Sequence, residues 1–142
     1  MLVVVDEVKA AKPVSLKFWL HGRAPFTIDP PSGRVELTFG KASLAGFLRA
    51  PGGLQITQTD KNPIPPEQGR TRPEWRLSAE TNQKHAEARF IAVLGVGKAG
   101  ATIALDSVED LSSGNTVRVR FRRAGKPLTV SFDVTAPAVK VE

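Results

Sequence analysis

The residues that could do chemistry in this chain are few, and their spacing suits contact rather than proton transfer. Its 142 residues include no Tyr and no Cys, and just two histidines, His21 and His85. Acid–base or nucleophilic catalysis needs a base within hydrogen-bond reach of the group it activates. His21 and His85 stand in unrelated contexts, with no His-x-x-x-His or His-Glu pairing and no carboxylates at a ligand spacing beside them. The sequence therefore predicts no catalytic residue, no metal site and no cofactor. Gly95-Val96-Gly97-Lys98 lacks the Gly-x-x-x-x-Gly-Lys-Ser/Thr pattern that opens a helix under a phosphate, and it reads as a hairpin turn.

Two other sets are spaced for binding. Lys17, Trp19 and His21 alternate along one strand, so an indole stands between two hydrogen-bonding groups, an arrangement that can stack on a sugar ring or anchor a protein contact. Arg118, Arg120 and Arg122 alternate in the same way, about 7 Å apart along one strand face, and are continued by Arg123 and Lys126. Guanidinium forks at that spacing fit the sulfates or carboxylates of a glycan. Each set has a plainer reading: an indole covered by a loop or a neighbouring domain, and a solvated basic face.

The elements that must position these residues follow a period of two. Leu2 to Val8 and Val14 to Leu20 read as the opening pair of strands joined by a polar link, the second with Val14, Leu16, Phe18 and Leu20 inward. Arg34 to Phe39 puts Val35, Leu37 and Phe39 inward, and Gly40-Lys41 turns into Ala42 to Ala50. After Pro51-Gly52-Gly53, Leu54 to Thr59 buries Leu54 and Ile56. Asp60 to Pro73 carries four prolines and reads as a long surface loop. Glu74 to Glu80 places Trp75 and Leu77 in the core. Ala88 to Val96 is apolar on both faces, which makes it central or covered. Gly97 to Gly100 turns into Ala101 to Leu105, and Asp110 to Asn115 turns into Thr116 to Arg122, with Val117, Val119 and Phe121 inward. Arg123 to Lys126 closes a hairpin to Leu128, Val130, Phe132 and Val134, and Ala136 to Glu142 is a tail or short edge strand. About ten short strands with Gly/Pro turns and no helical stripe predict an all-β fold, an antiparallel β-sandwich forming a single domain over residues 1–142.

The formal charge of +6 attracts anionic partners. No lysine block, helix-turn-helix, finger or aromatic-basic RNA motif is present, so a nucleic-acid partner is not expected. The longest apolar runs fall short of the roughly 20 residues of a membrane helix, and Asp6 and Glu7 interrupt the start of the chain, so neither a membrane partner nor a signal peptide is expected.

Several segments, in order, resemble the C-terminal β-sandwich region of heparinase II/III-like polysaccharide lyases. They are Val3-Val4-Val5-Asp6-Glu7, Lys12-Pro13, Phe18-Trp19-Leu20-His21, Leu44 to Pro51, Pro65-Pro66, Glu74-Trp75-Arg76-Leu77 and the Ala88 to Leu94 strand. The likeness covers roughly residues 2 to 96, and beyond it only the strand pattern agrees. In that family a helical toroid and a β-sheet domain meet at the substrate cleft, where tyrosine and histidine carry out β-elimination on a uronic acid. This chain has no tyrosine and no toroid-like stretch, so no catalytic role is carried over to it, His21 included. The resemblance implies a non-catalytic accessory domain of a periplasmic or secreted lyase, packing on the catalytic part or in a homo-oligomer and contacting acidic glycan. A packing role predicts an exposed apolar patch near Trp19. The competing expectation is a stand-alone binding module for acidic polysaccharide, using Lys17, Trp19, His21 and the arginine row.

Overall fold

The computed structural model describes residues 1–61, 74–135 and 139–141. Its elements are all strands, paired antiparallel throughout: β1 (Leu2–Val14), β2 (Lys17–Gly22), β3 (Thr27–Asp29), β4 (Arg34–Phe39), β5 (Ala42–Arg49), β6 (Leu54–Thr59), β7 (Trp75–Thr81), β8 (His85–Lys98), β9 (Leu105–Asp110), β10 (Thr116–Arg123), β11 (Lys126–Asp133) and β12 (Val139–Val141). They form two compact units, Met1–Ala101 and Thr102–Glu142.

The first unit is a sandwich of a five-stranded sheet, β1-β8-β5-β4-β3, and a three-stranded sheet, β2-β7-β6. Alternation decides what each strand buries. From the larger sheet Val35, Leu48, Ala92 and Leu94 enter the core, from the smaller Ile56, Leu77 and Ala79, and Phe26 joins them from the link before β3. The rings of Phe18 on β2 and Phe90 on β8 stack at 6.2 Å between the layers. β8 lies between β1 and β5, as its doubly apolar sequence requires, and on its second face Ile91 and Val93 are buried as well. On that same face Phe47 is capped by the guanidinium groups of Arg34 and Arg49, 5.4 and 5.3 Å from its ring centre.

Several sequence expectations are corrected here. The polar link is strand: β1 runs without a break to Val14, with a register shift between Lys9 and Val14, and β2 begins at Lys17. β1 is an edge strand, and an edge tolerates Pro13, which has no N–H to give. β3 lies inside what reads as a turn-rich link. β8 begins at His85 and includes Gly95 to Lys98, so those residues are straight strand and not a hairpin turn. Phe39 lies on the inward side of β4 with Val35 and Leu37 but is exposed rather than buried. The expected loop at 60–73 falls largely outside the described residues.

The second unit is a four-stranded sheet, β12-β11-β10-β9. Val117, Val119 and Phe121 on β10 are buried together with Leu105 and Val108 on β9. The strand expected over Ala101 to Leu105 instead starts at Leu105 and runs to Asp110. A bulge explains the displacement: Arg122 faces Ser107 and Arg123 faces Leu105, leaving Asp106 unpaired. Leu105 and Val108 are three residues apart, and the extra residue lets both turn inward. Asp106 then accepts the Gly125 N–H at 3.2 Å, tying the β10–β11 turn to β9.

Candidate functional site

Lys17, Trp19 and His21 do share one face, the outer face of the three-stranded sheet. The pairing β2-β7-β6 sets beside them Glu80 and Gln55, Ser78 and Thr57, and Arg76 and Thr59, in three rows. The indole of Trp19 is 48% exposed, with the Arg76 guanidinium 6.0 Å from its ring centre. Lys17 pairs with Glu80 at 3.1 Å, and His21 Nδ1 lies 3.2 Å from a carboxylate oxygen of Glu74. Arg76 also donates to the Lys61 carbonyl. Apart from Trp19, every side chain in these rows is polar, so the apolar patch expected around the indole is not there, and the reason for a packing role at this face goes with it. The sequence missed the acidic partners because Glu74 and Glu80 reach this face only through strand pairing across more than fifty positions.

An apolar patch does exist at another place in the first unit. The core cluster includes Leu37 and Leu44 as half-buried members and ends there. Along the same inward face, Phe39 is 56% exposed, Val96 70% and Leu2 56%. Register orders them: Leu37, Leu44 and Val96 form one row, Phe39 stands in the next with Ala42 and Lys98, and Leu2 lies opposite Leu94, two residues before Val96. The cause is unequal length, since β8 has 14 residues while β2 and β6 have 6 each, so the smaller sheet leaves the end of the larger one bare. Lys41 and Lys98 flank this end at the turns, both exposed.

Arg118, Arg120 and Arg122 project from one face of the second unit's sheet, opposite Ser131, Thr129 and Pro127 on β11. Arg120 approaches Glu109 at 3.7 Å, and among the described residues Arg118 and Arg122 face no acid. Glu109, Arg120, Arg122, Pro127 and Thr129 line an open groove of about 500 Å³. Lys17, Trp19 and His21 belong to one unit and the arginines to the other, so they are two surfaces rather than one composite site.

A second groove, of about 470 Å³, lies in the first unit between Pro30-Pro31, Leu48-Arg49 and Gly53-Leu54. Arg49 donates to the carbonyls of Ser32 and Leu48 there, and burial lowers its pKa from the ordinary arginine value. These bonds make Arg49 a clamp on the Pro30–Gly33 turn. Among the described residues no group of three or more His, Asp or Glu could hold a metal ion. His21 is held by Glu74, while His85 lies opposite Val14 of β1. No helix among the described residues is long and apolar enough to cross a membrane.

The fold defines a class, an all-β chain of antiparallel sheets. Comparison adds no family: no family model matches the chain, and neither does any curated protein.

Proposed function

We propose that this chain is a non-catalytic accessory β-sandwich that packs on a larger protein body, in the manner of the C-terminal region of heparinase II/III-like polysaccharide lyases. The observation that carries the reading is the bare end of the five-stranded sheet, where Leu2, Phe39 and Val96 leave apolar surface facing solvent. Exposed apolar side chains gathered at one end of a sheet suit a protein interface. The flanking Lys41 and Lys98 suit a partner with acids around an apolar centre, which disfavours a second copy of the same face. On this reading the chain alone should leave heparin, alginate and chondroitin sulfate intact, with a flat ultraviolet trace where β-elimination would raise one.

The test places Phe39→Ser with Val96→Thr in the full product of the native reading frame and in these residues alone. A toroid-sized stretch in that frame, with a thermal midpoint that falls in the full product and not in the sandwich, supports the reading. A frame with nothing further in it, or equal effects in both proteins, rejects it.

A second reading rests on the arginine row, in which Arg118 and Arg122 have no acidic partner among the described residues: contact with an acidic polysaccharide. Titration with heparin at two ionic strengths decides it. Binding that weakens with salt and is lost in Arg120→Ala supports the contact, and absence of binding at low salt dismisses it.

A further inference from the structure

We propose that the outer face of β2-β7-β6 is a platform for an uncharged glycan chain, with Trp19 as its stacking surface. The inference rests neither on packing at the bare sheet end nor on the arginine row.

Three features of the face carry it. First, nearly half of the Trp19 surface stays exposed at the middle of β2, although the polar rows on either side give it no apolar company. The flat apolar face of an indole among hydroxyl and amide groups suits a ligand that alternates C–H faces with hydroxyls, which is a pyranose chain.

Second, two carboxylates, Glu80 and Glu74, already stand at this face beside Lys17 and His21. Lys17 is held by Glu80 and His21 by Glu74, and Arg76 lies over the indole with a bond to the Lys61 carbonyl. A uronate or sulfate set down here would meet the carboxylates of Glu74 and Glu80 or have to displace them. Those carboxylates disfavour the acidic ligand that the arginine row would favour. Third, the remaining groups are hydrogen-bonding and available: the side chains of Gln55 and Thr57 have no partner among the described residues, and both are exposed. Three strands spaced about 4.8 Å apart, with same-face residues about 7 Å apart along each, give a surface that spans two to three sugar rings.

The experiment titrates the full chain with cellohexaose, xylohexaose and maltohexaose, and with a heparin hexasaccharide as the charged comparator, by calorimetry and indole fluorescence at low and high salt. The expected result is binding of at least one neutral hexasaccharide that salt does not change. Trp19→Ala should weaken it by about tenfold or more, Trp19→Phe should retain most of it, and Arg120→Ala should leave it untouched. Thermal midpoints of the Trp19 variants should match the parent, since the side chain lies outside the core. No binding of any neutral sugar, binding that survives Trp19→Ala, or binding of the heparin oligosaccharide alone would each overturn the platform and leave the packing reading standing.

Discussion

At the residue scale, single side chains do tasks that alternation does not announce. Gln58 accepts the Phe26 N–H at 2.8 Å and donates to the Phe26 carbonyl at 2.8 Å, so its amide holds the link before β3 as a neighbouring strand would. Gln58→Leu leaves a buried backbone pair without partners and should cost about 1–3 kcal/mol in urea unfolding; an unchanged midpoint would show that solvent replaces the amide. Ala124 sits at φ 50° and Gly125 at φ 73°, the backbone of a two-residue hairpin turn that favours Asn-Gly. Ala124→Asn should therefore stabilise the chain by about 0.5–1 kcal/mol, while Gly125→Ala shifts the midpoint the opposite way. Asp133 accepts from the Thr135 hydroxyl at 2.6 Å and from its N–H at 2.8 Å, and these bonds hold its carboxyl below the ordinary carboxylate range. A depressed folded-state pKa means that the contact is present above the ordinary range and lost as pH falls through the folded value. In Thr135→Val the hydroxyl is gone and the N–H remains, so an NMR titration of the Asp133 carboxyl should move up, toward the ordinary range. A curve identical to the parent's would show that the backbone bond alone sets it.

At the element scale, the strands that the sequence makes legible are those whose two faces meet unlike surroundings for their whole length. Thr116 to Arg122 is the clearest: Val117, Val119 and Phe121 are buried, and the arginines between them are exposed. Alternation also placed Lys17, Trp19 and His21 on one face, since that depends on β2 alone. What it could not place depends on a second strand. β9 hides its period behind the Asp106 bulge, β1 continues through Lys9 to Val14 because an edge needs no apolar alternation, and Phe39 is bare because β2, β6 and β7 are short. Gly46 is a further product of pairing. A Cβ there would press on Leu94 and stand 2.8 Å from the Val93 carbonyl oxygen, so β5 and β8 approach as closely as they do only because position 46 has no side chain. Gly46→Ala should cost about 1–3 kcal/mol with the strand content by circular dichroism unchanged. A neutral Gly46→Ala would mean that the sheet yields freely at its centre.

At the scale of the whole molecule, two long-range terms compete: a net charge of +6 that keeps copies apart, and the apolar end formed by Leu2, Phe39 and Val96 that draws surfaces together. Their dependence on salt differs. Repulsion between charged molecules fades once the screening length drops to about 10 Å, near 0.1 M ionic strength, whereas burial of apolar side chains is not screened. The isolated chain should therefore be monomeric at low ionic strength and associate reversibly as salt rises, the reverse of the salt response expected for a polyanion on the arginine row. Sedimentation velocity across a salt series reads this directly. Val96→Lys adds a charge at the most exposed apolar position and should hold the chain monomeric throughout, while Arg120→Ala, on the other unit, should not. A parent chain that stays monomeric at every salt concentration, or a Val96→Lys variant that associates as readily, would show that the bare sheet end does not pair with a second copy of the chain.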